Sequence, residues 1–329
     1  MGGAGGGVGG GVGDRGGAGT AQTPLSGGAP RWGAGAVSDR GFRRVGATSH
    51  PRPEAALGVR TPQYCRPVSN EDITLTAGDA EVIVRPGNGG RIGGLRIGGT
   101  QLLRQGDRFG CFPMVPWAGR IRDGRFLDGG IVRQMPLNSP PHAIHGTARD
   151  GAWRTARVTE REAVITHELT DPWPHSGRVT QIVALAEDSL TLTMSVETYD
   201  DSFPAQIGWH PWFCRTVDGA DVTLDFAPAW QEERGADHLP TGNRVEPGPG
   251  PWDDCFGMPG GVDVTLTWPR RLELRVASRE EWVVVYDEQA EAVCVEPQTG
   301  PPNGLNTQPR LVTPLEPLEA TTIWSWRRL

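Results

Sequence analysis

The chain contains no lysine; all of its 32 basic residues are arginine. That absence reads as composition bias and carries no functional signal. Long apolar runs are missing too, so no segment is suited to cross a bilayer as a helix. The opening stretch MGGAGGGVGGGVGDRGG has no apolar core, so a secretory signal is not expected there. Cysteine is scarce and scattered: Cys65, Cys111, Cys214, Cys255 and Cys294, odd in number and with no CxxC pair. This excludes a disulfide framework and a cysteine metal cluster, and fits free thiols in a reducing cytoplasm. Beyond residue 60 no stretch carries the apolar period of a three- to four-turn helix, and no repeat of fixed period is found.

What is present falls into two parts. Residues 1–65 are rich in Gly, Ala, Ser and Pro and have no hydrophobic period. Such a stretch cannot bury enough apolar surface to offset the entropy of ordering it, so a disordered tail is expected. Residues 66–329 are expected to form a single domain. To Arg60 the tail holds seven arginines against Asp14, Asp39 and Glu54, a net of +4; with -7 for the whole chain, the remainder carries -11. A domain that acidic is a poor candidate for nucleic acid. Neither a nucleic-acid nor a membrane partner is expected.

From about Pro67 the pattern is that of strands. Ile73–Thr76 and Glu81–Arg85 are short alternating runs, followed by Trp153–Val158, Ala163–Leu169, Val179–Leu185 and Leu190–Tyr199. Val222–Phe226, Val262–Trp268, Leu272–Val276, Trp282–Tyr286, Ala292–Glu296 and Thr322–Arg327 continue the series. Turn clusters separate them. Many short strands with almost no helix predict an all-β sandwich or barrel. Gln231–Pro259, rich in Pro, Gly and charge, reads as a long loop of the kind that often carries function.

Five segments set polar residues among Gly, Pro and aromatics at strand ends. AQIGWHPWF places His210 between Trp209 and Trp212. Indole faces stack on the C–H faces of a sugar, and an imidazole moves protons near neutral pH. The tryptophans are expected to share the strand face opposite His210 if the strand is regular. Because Pro211 puts that regularity in question, the reading commits only to one of them touching a ligand. FPMVPWAGRIRDGRF carries Arg120, Arg122 and Arg125; PPHAIHGTARDGAW carries His142 and His145. The HAIH spacing suggests a metal only on a helix, which Pro140, Pro141 and Gly146 oppose. WDDCF carries Asp253 and Asp254, and VCVEPQTGPPNGLN carries Glu296 and Gln298. A carboxylate ending the apolar run AVCV is costly unless paired or functional, which singles out Glu296.

Taken together and in this order, GRI, IHG, GWHPWF, WDDCF and EPQTGPPNGLN resemble the aldose 1-epimerase (galactose mutarotase) family over roughly residues 70–329. The resemblance implies a large antiparallel β-sandwich with a sugar cleft across one sheet. It implies an isomerase that interconverts the anomers of a free aldohexose such as galactose or glucose, as a monomer or homodimer. No cofactor or metal is implied, because one base and one acid on opposite sides of the C1–O5 bond suffice. The implied base is Glu296 and the implied acid His210. His145 and Arg120 hold the sugar and steady charge on the ring oxygen, and Asp253 holds hydroxyls. Trp209, Trp212 and Gln298 complete the expected sugar contacts. Two positions depart from the family pattern: His142, where asparagine is usual, and Trp212, where tyrosine is common. A hexose-6-phosphate mutarotase is the runner-up, with Arg122 and Arg125 beside Arg120 as its cationic pocket. A non-catalytic sugar binder ranks below it, since a binder needs no acid–base pair. A glycosidase with Asp254 as its second carboxylate ranks lower still.

Overall fold

The computed structural model describes residues 70–329. The tail expected at 1–65, and Cys65 within it, lie outside the described residues. Two large sheets face each other, and every strand pair within them is antiparallel. The smaller sheet has eight strands. At its centre Ser189–Thr198 pairs with Leu318–Arg328, which pairs with Leu272–Ser278. These strands alternate between buried and more exposed positions, as expected of a sheet with one face on the core and one in solvent. The inward residues Val179, Val183, Leu192, Met194, Val276 and Trp324 join Val82, Leu95, Val285 and Val295 of the larger sheet in one apolar cluster. The expected all-β sandwich is what forms.

The larger sheet behaves differently. Its strand Ala292–Gln298 is buried at every position. Alternation is absent because both faces are covered: Val295 faces the core, while Glu296 and Gln298 line a cavity on the far face. Most of the expected strands are present within a residue or two of their expected bounds.

Gln231–Pro259 corrects the sequence reading. It is mostly strand, with Trp230–Arg234, Pro240–Val245 and Asp253–Gly257 all part of the larger sheet. Pro240–Val245 stands at the sheet's edge and is largely exposed, while Trp230–Arg234, paired on both sides, is charge-rich and mostly half-buried, so neither carries an apolar alternation for a period-2 pattern to detect.

Candidate active site

The cavity floor is one rung across the larger sheet. In the strand registers His210 stands opposite Phe112 on one side, and the pairing of Gly208 with Gln298 and Phe213 with Val293 sets it opposite Glu296 on the other. Glu296 is opposite Val284, Val284 opposite Cys255, and the same antiparallel register sets Cys255 opposite Glu232. Side chains on one rung share a face, so strand pairing alone brings His210, Glu296 and Glu232 to the same surface. The neighbouring rung adds Cys294, Tyr286 and Asp253. A cavity of about 240 Å³ lies over this floor, walled by Arg120, His145, Trp212, Arg234 and His238.

His210 Nε2 lies 3.3 Å from Glu296 Oε1. Both residues are buried, Glu296 to 2% exposure. Burial raises the Glu296 carboxyl well above the usual carboxylate range; the Asp253 charge adds to the rise and Arg120 opposes it. Burial lowers His210 to about 3, and the Arg149 charge adds to that fall. The imidazole is sandwiched between Trp212 (ring centroids 4.9 Å apart, 18° between planes) and Phe112 (4.6 Å). Both shifts favour the uncharged forms, a proton on the Glu296 carboxyl and a neutral His210 imidazole. His210 and Glu296 thus stand side by side on neighbouring strands.

His145 sits in the left-handed region at φ 63°, an uncommon place for a side chain other than glycine. It is held there by its N–H on Gly119 O (2.9 Å) and by Thr147 and Ala148 N–H on Val115 O. Gly146 follows at φ 71°, where a Cβ would meet Val115 O at 2.0 Å. The IHG motif is thus a backbone requirement. Its ring stands edge-on to His210 at 5.1 Å. Burial, then the His210, Arg149 and Arg120 charges, hold its pKa well below the usual range. Arg120 reaches the cavity from a two-residue strand paired with Ala143–Ile144. The Asn-bearing end of EPQTGPPNGLN fastens that strand and the one after it: Asn303 N–H donates to Arg120 O (2.6 Å), and Asn306 Nδ2 donates to Arg125 O of the strand Arg125–Asp128.

Gln298 is buried in the cavity wall with both amide atoms unpartnered, and Trp212 Nε1 and His145 Nδ1 are also orphaned. Buried polar atoms without partners cost free energy unless a ligand satisfies them. Asp253 accepts from Arg234 Nη1 at 2.7 Å, with His238 Nδ1 at 3.7 Å.

Trp209 is a correction. It packs in the core at 1% exposure and donates to Gln181 Oε1 of the opposite sheet (3.2 Å), away from the cavity. Residues three apart on an alternating strand face opposite ways, so Trp212 lies with His210 and Trp209 does not. Arg122 and Arg125 are also elsewhere: Arg122 pairs with Asp237 (2.5 Å) and Arg125 with Gln134 (3.0 Å). They offer no pocket at the floor. His142 is spent on the scaffold, accepting from Asp123 N–H at Nδ1 and donating from Nε2 to Asp237 O. Asp254 turns to Arg234 (3.5 Å). Sequence reasoning missed Glu232, Arg234, His238 and Tyr286; the first three lie in the segment read as a loop.

His210, Cys294 and Glu296 also bring three possible ligand atoms within 4.8 Å of one another. Burial raises the Cys294 thiol as it raises Glu296, so a metal would have to displace protons from both. Among the described residues no helix is long and apolar enough to cross a membrane.

Residues 71–324 match the model of the family described as Aldose 1-epimerase. Among curated proteins the chain is 33% identical over 149 residues to the uncharacterized protein YphB of Escherichia coli K12, covering 43% of this chain and 51% of that one. The chain thus matches about half the length of that relative. Among solved structures it is similar to a galactose mutarotase-like protein from Clostridium acetobutylicum, with TM-score 0.71 and 17% identity, over 78% of this chain and 95% of that one. It is also similar to galactose 1-epimerase from Lactobacillus acidophilus, with TM-score 0.65 and 18% identity, over 78% and 94%. At such identities these two likenesses speak to the fold.

Proposed function

The chain belongs to the aldose 1-epimerase family, and on that premise we propose that it interconverts the α and β anomers of an aldohexose by acid–base ring opening and closure. The observation that carries this reading is the 3.3 Å contact between His210 Nε2 and Glu296 Oε1 on the floor of a sugar-sized cavity. Ring opening removes the C1 hydroxyl proton and gives one to the ring oxygen as the C1–O5 bond breaks. Glu296 takes the first proton and His210 supplies the second. The products are an open-chain aldehyde, a protonated Glu296 and a neutral His210. Half a turn about C1–C2 presents the other face of the aldehyde, and the two transfers run in reverse.

The directions of the two shifts favour the protonation of the open-chain stage, and moving one proton across the contact gives the state that starts ring opening. On this reading a single shared proton serves both halves of the reaction. Arg120 and His145 border the ring-oxygen side and steady charge that builds there. Gln298 and Asp253 offer acceptors and donors to hydroxyls, and Trp212 supplies an apolar wall. A binder with no chemistry has no use for a buried carboxyl set against a buried imidazole with both pKa values displaced.

The sequence favoured a free hexose such as galactose or glucose over hexose 6-phosphate. Polarimetry on freshly dissolved α-glucose, α-galactose and α-glucose 6-phosphate tests the reading. Catalytic amounts of protein should speed equilibration of at least one sugar. No acceleration of any of them sinks it.

A further inference from the structure

A second cavity of about 650 Å³ adjoins the first, and His145, His210 and Trp212 line both. Its far side is formed by Arg91, Arg108 and Arg149. Arg91 is the informative one. It is 6% exposed, its Nη1 donates to Phe109 O (2.9 Å), and its Nε has no partner. No described carboxylate forms an ion pair with it. A buried guanidinium satisfied by one neutral carbonyl is costly unless an anion completes it. Arg149 is also short of partners: its Nε makes no hydrogen bond, and its carboxylate neighbour, the exposed Asp150, lies 3.7 Å away. The other acid of this cavity is the exposed Asp107 on the rim. The Arg91 and Arg149 guanidinium carbons sit 5.1 and 5.2 Å from the Phe112 ring centre, and that ring packs against His210. One six-membered ring therefore separates both cations from the acid–base pair.

From this geometry we infer that the substrate is an anionic aldose, with its anomeric carbon over His210 and Glu296 and an oxyanion group remote from C1 held by Arg91 and Arg149, with Arg108 at the rim. The group is a phosphate, sulfonate or carboxylate, since each offers the paired oxygens a guanidinium fork binds. The inference rests on the anomer-exchange reading and adds the substrate class. It moves the cationic pocket from Arg122 and Arg125 to the other side of His210. The electrostatics agree: the Arg149 and Arg91 charges both lower His210 in the free protein, and a docked anion would offset them.

The test measures kcat/KM for anomer equilibration of glucose, glucose 6-phosphate and glucuronate with wild type, Arg149→Met and Arg108→Ala. At least one charged sugar should be preferred over glucose by about tenfold or more, the scale of a hydrogen bond to a charged group. Arg149→Met should cut that preference roughly tenfold, and exposed Arg108→Ala by less. Comparing glucose 6-phosphate with glucuronate tells a phosphate site from a carboxylate site. Calorimetric titration with the same two charged sugars gives a readout independent of turnover. If no sugar is turned over but Arg149 is needed for charged-sugar binding, the catalytic reading fails and the anion site stands. Equal turnover of charged and neutral sugars, or a preference unchanged in folded Arg149→Met, overturns the inference. So does charged-sugar binding that ignores Arg149.

Discussion

The cleft has two halves whose charge balance differs in sign. On one side of the wall made by His145, His210 and Trp212 stand Glu232, Asp253, Asp254 and Glu296 against Arg120 and Arg234; on the other stand Arg91, Arg108 and Arg149 against the exposed Asp107 and Asp150. Both halves are floored by the same sheet. The difference shows how one fold biases two touching titratable groups from opposite sides. Burial pushes both groups toward neutrality, and one charge set on each side pushes further the same way, with Arg120 opposing it at Glu296. Asp253 raises Glu296 on the acidic side, and Arg149 and Arg91 lower His210 on the basic side. The bias on the pair is a property of the whole cleft rather than of either residue.

The harshest way to break this comparison is to remove the shared proton's seat. Glu296→Gln keeps the shape and cannot take a proton, and His210→Asn cannot deliver one at neutral pH. Each should lower kcat by about a hundredfold or more, within the range of general acid–base catalysis. The double variant should lose less than the product of the two, because both residues act in one event. Stopped-time polarimetry on variants shown to be folded decides it. Near-normal turnover in Glu296→Gln would refute the mechanism.

A gentler cut tests each half alone. The pair is active with one proton, so the acid limb of its pH profile marks gain of a second proton and the alkaline limb marks loss of the only one; both belong to the pair. Asp253→Asn removes a charge that raises Glu296, so the alkaline limb should move to lower pH. KM should rise roughly threefold to tenfold for the lost hydrogen-bond partner. Arg149→Met removes a charge that lowers both His210 and His145, so the acid limb should move to higher pH. The bell narrows from opposite sides in the two variants. Limbs that stay put in both would show that burial alone sets the proton.

These halves were not equally legible in the sequence. Glu296 stood out because a carboxylate after AVCV contradicts its apolar surroundings, and the strand is indeed buried on both faces. His210, Asp253 and Gln298 lie in short motifs that pairing across the large sheet brings to one cavity, and Arg120 and His145 reach the same cavity from outside that sheet. The basic half escaped notice. Arg91 sits in the strand Arg91–Ile97 and Arg149 in a single 3-10 turn far along the chain, with nothing local to join them. In a chain whose every basic residue is arginine, an arginine alone carries little information. Only burial distinguishes Arg91, and burial is a tertiary property. Glu232 and Arg234 were missed because a strand rich in Gln, Glu and Arg, with no apolar alternation, has the composition of a loop. Trp209 was misplaced for a different reason: its residue type suits a sugar, but its spacing from His210 points it into the core.

The smallest expected effect concerns stability, and its sign is fixed by the acidic half. Glu296 ionises near 4.5 when unfolded and well above that when folded. Between those two values the unfolded chain has given up the proton and the folded chain still holds it. Stability therefore falls as pH rises through that window and levels off above it. The amide introduced by Glu296→Gln has no titrating proton to lose and can still donate to His210 Nε2. The variant should melt with wild type below pH 4.5, then above it by a margin that grows with pH and reaches a plateau. His210 contributes the opposite slope, since its lowered pKa makes stability rise with pH between about 3 and 6.5. That contribution is shared by both proteins and drops out of the difference to first order. In a domain of this size each kcal/mol moves Tm by about 2–4 °C, so calorimetry across the window resolves the effect. An inactive variant that is more stable only above pH 4.5 would show that the site is held protonated at a cost. A Tm difference that is flat with pH would mean that Glu296 is ionised in the folded protein, and that the acidic half does not act on it as described.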